Sequence, residues 1–300
     1  MQTRTCRYAL IDQKMVFEIL HYSFMQRALL SGAVVAATCS VVGLFLVLRR
    51  QSLFGDALSH VAFGGIAVGL FTNIYPLWTA LVVSVLASLG ITKLRQTTKI
   101  PPDAAVAVML SSGLAVGIVL IGLAGGFSLD LESFLFGSIL LIGMQDQIMI
   151  LLLSAAVLLI VFKLHRQLMY VAFSEDQARV SGINVTRLNY LFIGLASLAV
   201  IASLRLVGVL LISSLIVIPN ITAIMFGKGF KKTALISIII AVSSVLIGIV
   251  ISYVANLAPG GTIVLETIFA LLGTAGAKSI MKRIKIKDIE NRRTSLAKAT

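Results

Sequence analysis

Charge is scarce in this sequence, and acid is scarcest: Asp and Glu together number 12 in 300 residues, and charged residues of both signs make up 12%. A soluble domain carries about 25% charged residues, so this chain cannot cover itself with a wetted surface. Cysteine is almost missing as well. Cys6 and Cys39 stand far apart without CxxC spacing, which suggests neither a disulfide framework nor a thiolate metal site. A phosphate-binding G-x-x-x-x-G-K-S/T loop is also lacking, since Gly227-Lys228-Gly229-Phe230-Lys231-Lys232-Thr233 shares only its composition. The longest polar stretch inside the apolar region, about residues 164–187, is too small for an enzyme domain. If ATP drives this protein, another chain is expected to bind it.

What is present is apolar. Hydrophobic residues make up 58% of the chain, and the mean hydropathy is +1.03. A membrane-spanning helix needs about 20 mostly apolar residues, and nine runs qualify, at roughly 27–48, 55–72, 75–92, 104–124, 146–163, 188–205, 207–226, 233–255 and 262–280. The net charge of +13 would ordinarily raise nucleic acid as a partner. Here the basic residues sit in short blocks between apolar runs, which predicts membrane topology and no nucleic acid. Arg49/Arg50, Lys93/Arg95/Lys99, Lys163/Arg166/Arg179/Arg187, Lys228/Lys231/Lys232 and the tail from Lys278 all fall on one side. The alternate loops 73–75, 125–133 and 256–261 hold no Lys or Arg. The positive-inside rule then predicts a cytoplasmic C-terminus and an outer N-terminus.

The expected fold is all-α: a polytopic membrane bundle of about 8–9 transmembrane helices. Residues 1–26 read as an N-terminal segment, in part a surface helix, with Met15 as an alternative start and no signal-peptide pattern. Residues 27–282 form the transmembrane domain, and 283–300 a basic tail. Residues 132–143 are apolar but too short to cross, and suit a re-entrant half-helix beside a cavity; one long tilted helix is the alternative.

Asp56 and His60 are the outstanding polar pair. Four residues apart, they share one face of a helix. An ionised Asp in a membrane costs about 2.5–3.5 kcal/mol on insertion scales, so such residues usually face a cavity. Carboxylate and imidazole are both ligands for first-row metals. Equally, Asp56 can cap a helix starting near Gly55, with His60 as its partner. Two ligands do not complete a zinc site, which points to a second copy supplying two more across a twofold axis.

Other features read more plainly. His21 and His165 are expected in solvent. Asp103, after Pro101-Pro102, looks like an N-cap. Asp130 and Glu132 sit in an outer loop, and Arg205 at a helix end where it can snorkel. Pro219 interrupts an apolar run and predicts a kink. Ser213 and Ser214, just before it, either line a pathway or bond their own backbone. Residues 174–185 read as a short helix capped by Ser174 and stopped by Gly182, a handle for another protein on the cytoplasmic side.

In order and spacing these segments resemble the ABC-3 family of metal-ion permeases. The likeness runs through Phe24-Met25-Gln26-Arg27-Ala28-Leu29, Val47-Leu48-Arg49-Arg50 and Gly55-Asp56-Ala57-Leu58-Ser59-His60. It continues in Leu135-Phe136-Gly137, the Glu175–Val185 loop, Val207-Gly208-Val209-Leu210-Leu211 with Ile218-Pro219, and Pro259-Gly260-Gly261-Thr262. The resemblance implies a homodimeric permease in a bacterial plasma membrane, two cytoplasmic ATPase subunits, and an extracytoplasmic metal-binding protein. It implies that Asp56 and His60 contact the transported ion, zinc being favoured over manganese or iron, with no permanently bound cofactor. It makes 174–185 a coupling helix, in which Glu175, Ala178 and Gly182 would serve ATPase coupling. The family commonly has small residues after the proline, where this chain has Asn220-Ile221. The competing reading is an ion-coupled secondary carrier, which would want intramembrane acid relays; beyond Asp56 and Glu266 the spans offer none. A membrane-embedded enzyme is disfavoured by the lack of a second constellation beside Asp56 and His60.

Overall fold

The computed structural model describes residues 22–98, 100–124, 129–138 and 143–297. Among them are eleven α-helices and one 3₁₀ turn. They run α1 (Ser23–Leu48), α2 (Phe54–Thr72), α3 (Pro76–Thr98), α4 (Pro102–Leu123), α5 (Leu129–Phe136) and α6 (Met144–Phe173). Then follow α7 (Glu175–Val180), α8 (Val185–Val207), the 3₁₀ turn Val209–Leu211, α9 (Ile212–Met225), α10 (Phe230–Ala255) and α11 (Pro259–Ala297). Eight of these are long and apolar enough to cross a bilayer: α1, α2, α3, α4, α6, α8, α10 and α11. The protein is a polytopic helical membrane bundle, as its composition predicts. His21 lies outside the described residues, as do most of the N-terminal segment 1–26 and the end of the basic tail.

In such a bundle the hydrophobic effect does not drive helix against helix, so close approach through small residues must do more of the work. Here α1, α2 and α8 form the buried centre, and α3, α4, α6, α10 and α11 stand around them. Gly64 and Gly113 face each other across α2 and α4, where a Cβ on Gly113 would lie 2.7 Å from the His60 carbonyl oxygen. Gly65 meets α3 in the same way, a Cβ there falling 2.6 Å from Ala80 Cα. The α2 backbone is thereby clamped on two sides along the stretch that carries His60.

The expected span at 207–226 needs correction. Gly208 takes a left-handed φ of 82° and ends α8, so the run splits into a 3₁₀ turn and the 14-residue α9. Pro219 lies inside α9 and does not divide the run. With the turn, α9 still traverses the bundle. At one end Leu211 packs beside Gly260, and at the other Lys278 Nζ donates to the Met225 carbonyl. Those points are 18 residues apart on α11, or about 27 Å. The expected half-helix at 132–143 overlaps α5, an eight-residue helix ending at Phe136; residues 139–142 lie outside the described set.

Three separated segments meet where that run breaks. Built Cβ atoms on Gly137, Gly208 and Gly260 would lie 2.4, 2.3 and 2.2 Å from the carbonyl oxygens of Leu206, Leu135 and Val207. Gly137 and Gly208 also need positive φ. Only glycine fits this crossing of backbones.

Asp103 is not an N-cap. Pro101 and Pro102 start α4, and Asp103 sits in its first turn, lining a cavity of about 300 Å³ with Arg50 and Arg95.

Candidate functional site

The turn between α1 and α2 is set by Arg50, whose φ of 56° lets the Arg50 and Gln51 N–H groups bond back to the Val47 and Leu46 carbonyls. α2 then begins at Phe54 with no side-chain cap, and Asp56 lies in its first turn, where the helix dipole favours a carboxylate. Asp56 therefore is not the helix cap. His60 Nε2 lies 3.9 Å from Asp56 Oδ1, beyond hydrogen-bond length. The His60 side chain is 15% exposed and that of Asp56 29%. His60 Nδ1 is buried without a hydrogen-bond partner. Buried polar atoms normally have partners; this nitrogen has none and is sealed from solvent.

Asp56 opens onto a cavity of about 230 Å³, whose other polar residues are Ser52, Ser213 and Ser214. The fold brings the serines of α9 to the acid of α2, although about 160 residues separate them. Pro219 is buried and does not line the cavity. Among the described residues no three His, Cys, Asp or Glu side chains gather as a metal cage.

α9 is held in place by a buried polar chain. Ser40 Oγ donates to Ser237 Oγ (2.9 Å), Ser237 Oγ to Asn220 Oδ1 (2.7 Å), and Asn220 Nδ2 to the Ile216 carbonyl (2.7 Å). This ties α1, α10 and α9 together about two turns past Ser213 and Ser214. Gly43 makes the room: a Cβ there would lie 2.1 Å from the Ile216 carbonyl oxygen and 2.6 Å from Asn220 Nδ2. Asn220, the residue whose role the sequence leaves open, is a fully buried joint.

On the basic side, α7 is capped by Ser174 Oγ, which accepts from Gln177 N at 3.3 Å, and ended by Gly182 at φ 79°. Ala178 is fully buried and anchors α7 to the bundle, while Val180 is 90% exposed. Glu175 Oε1 accepts from Asn189 Nδ2 (3.4 Å), and Asn189 Oδ1 accepts from Arg49 Nη1 (2.8 Å). Arg49 also lies over the Phe192 ring at 4.6 Å. Burial pushes the Arg49 guanidinium down to about 10, with the Glu175 charge opposing the shift. Arg49 sits in the turn that leads into α2, so a connected path runs from α7 toward Asp56.

The profile of the ABC 3 transport family matches residues 21–277. The chain belongs to the ABC 3 transport family. It is 32% identical over 254 residues to the "Probable metal transport system membrane protein" of Treponema pallidum, covering 85% of this chain and 95% of that one. It is 31% identical over 256 residues to the manganese transport system membrane protein MntC of Halalkalibacterium halodurans, covering 85% and 88%. A solved structure of PsaBC from Streptococcus pneumoniae in complex with Fab superposes with a TM-score of 0.79 at 31% identity, over 87% of this chain and 94% of that chain. The protein is thus a permease subunit of a metal-ion ABC transporter.

The permease has one charged cluster that sequence reasoning missed. On the face opposite the basic loops, Asp146 is 7% exposed and lies 3.5 Å from Arg205 Nε. Tyr75 Oη donates to Asp146 Oδ1, and the Gly143 N–H to Asp146 Oδ2 at 3.2 Å. Arg205 stacks over Phe134 at 4.2 Å and does not snorkel into solvent. Burial, then the Asp146 hydrogen bond, raises the Tyr75 hydroxyl above its ordinary range. The available signal was Asp146 placed three residues after Gly143, a capping arrangement. The sequence gives no sign that Arg205, 59 positions later, is its partner.

Proposed function

We propose that this permease passes a divalent first-row transition metal inward along the interface of two copies of itself, with Asp56 and His60 touching the ion and Ser213 and Ser214 lining its way. One observation carries the reading: the cavity that joins Asp56 to Ser213 and Ser214, with the unpaired Nδ1 of His60 one turn further along α2. One chain supplies too few ligands for a closed cage, which suits a conduit whose ion must leave as well as enter. Zinc is the metal favoured from the sequence. The cavity offers one carboxylate and several hydroxyls, His60 lying outside its lining, and oxygen ligands of that kind suit manganese. The MntC relative is named for manganese. The preferred cargo therefore becomes Mn²⁺, with Zn²⁺ as its competitor. No permanently bound cofactor is part of this reading.

The basic face is cytoplasmic by the charge rule, and it carries the C-terminal end of α11. There Glu175, Ala178 and Gly182 shape the α7 handle for a cytoplasmic ATPase dimer, while an extracytoplasmic metal-binding protein delivers the ion to the other face. An ion-coupled carrier would have no use for such a handle.

The deciding experiment is radiometal uptake in a deletion strain complemented with wild type, Asp56→Asn or His60→Ala. Uptake of ⁵⁴Mn should fall at least about tenfold in either variant, equivalent to about 1.4 kcal/mol, while membrane levels of the protein stay unchanged. Wild-type uptake by Asp56→Asn would remove the acid from the pathway. Uptake that survives loss of the partner ATPase would favour the carrier, and a stronger response to ⁶⁵Zn would restore zinc.

A further inference from the structure

α1 touches both α6 and α10, but these two lean apart near the basic face and leave a groove of about 940 Å³ between them. Leu44 and Phe45 form its floor, Leu158 and Phe162 one wall, and Ala234 and Leu235 the other. The mouth differs from the rest. His165 and Lys231 stand there, near Lys163 and Arg166 on α6 and Lys232 on α10, with Lys228 in the connection just before α10. The three helices carry one acid between them, Asp146, at the far end of α6.

We propose that this groove is a binding site for one anionic phospholipid, its acyl chain lying on Leu44 and Phe45 and its headgroup phosphate paired with Lys231. Length supports the assignment. From Ala155 to His165 the α6 wall rises ten residues, about 15 Å, which is half of a hydrocarbon core about 30 Å thick. The groove therefore spans one leaflet and stops at its headgroup level. Charge supports it too, because basic pockets between helices on the cytoplasmic side select anionic headgroups. His165 adds a second polar contact. Its Nδ1 lies 2.7 Å from the Phe162 carbonyl oxygen and so donates to it, and the ring stacks on Phe162. That bond leaves Nε2 to meet a headgroup oxygen such as the hydroxyl of phosphatidylglycerol. The site uses none of the residues placed on the metal route. It would fix the separation of α6 and α10, both of which lean on α1.

The test is native mass spectrometry of the full chain in detergent, titrated with dioleoyl phosphatidylglycerol or with dioleoyl phosphatidylcholine as the zwitterionic control. The wild type should retain one phosphatidylglycerol per chain in preference to phosphatidylcholine. A surface Lys contributes about 1 kcal/mol toward an anionic headgroup, so Lys231→Gln should weaken phosphatidylglycerol retention about fivefold and leave phosphatidylcholine unchanged. Ala234→Trp, which fills the groove, should abolish retention of the bound lipid; its melting temperature shows whether it folds. Equal retention of the two lipids by wild type would overturn the proposal, as would undiminished phosphatidylglycerol binding by Lys231→Gln. Lipid bound to monomers but shed on dimerisation would assign the groove to the second copy, and so overturn it as well.

Discussion

Replacing Gly43 by alanine adds one methyl group at the tightest point between α1 and α9. The new Cβ would stand 2.1 Å from the Ile216 carbonyl oxygen, where real contacts essentially never fall below 3.0 Å. A carbonyl within a helix cannot rotate away, so the two backbones must part by about an ångström. Overpacking of this kind costs about 2 kcal/mol. For a chain of this size that corresponds to a fall of about 4–8 °C in the melting temperature of the detergent-solubilised protein. The same displacement carries Ser213 and Ser214 away from Asp56, so metal uptake should fall with stability. Two controls sharpen the test. Gly90→Ala, whose Cβ meets nothing within 4 Å, should leave stability unchanged or slightly raised. Asn220→Ala should not rescue Gly43→Ala, because the nearer obstacle is backbone and not the Asn220 amide. A Gly43→Ala protein that melts with the wild type would refute the packing argument, and rescue by Asn220→Ala would show that the side chain was the true clash.

Further perturbations test the two faces. Removing either Asp146 or Arg205 leaves a mostly buried charge unpaired and should cost about 3 kcal/mol, near the lower end for buried pairs because both side chains keep some exposure; Asp146→Leu combined with Arg205→Leu should cost less than the sum of the single changes in thermal melts. The folded Tyr75 hydroxyl titrates above its unfolded value, so its contribution is complete below about pH 10 and is lost as pH rises further; Tyr75→Phe should lower stability by about 1 kcal/mol at neutral pH and flatten the alkaline decline. On α7, Val180→Asp changes a side chain that is 90% exposed; the melting temperature should hold while stimulation of the partner ATPase is lost, and unchanged stimulation would remove α7 from coupling.

Much of the bundle is legible from apolar runs and loop charge, because in a bilayer a helix must be about 20 apolar residues long whatever it packs against. The exception falls where a single backbone torsion decides. Hydropathy runs smoothly through Val207-Gly208-Val209, and nothing in it reveals that Gly208 turns left-handed to pass between Leu135 and Gly137. Asp56 and His60 are visible because they are polar and four apart on one helix. Their cavity partners Ser213 and Ser214 are visible only as ordinary serines, since tertiary folding alone carries them to Asp56. The Arg49–Asn189–Glu175 connection and the Asp146–Arg205 pair share that property: each residue can be read, but the pairing cannot. Asn220 is the instructive case. Its polarity looks misplaced among apolar neighbours until Gly43, Ser40 and Ser237 are seen to have been shaped around it.

The short α9 has a consequence for sidedness. Eight full-length spans alone would return the chain to the side on which it began. Because the 3₁₀ turn and α9 together carry it once more from the Gly260 end of α11 to the Lys278 end, the number of crossings is odd. Tyr22, ahead of α1, and Met281, late in α11, are both exposed, and an odd count of crossings predicts that they face opposite sides of the bilayer. Cysteines placed at these two positions should react with an impermeant maleimide from opposite faces. Labelling from one and the same face would instead mean that α9 does not cross.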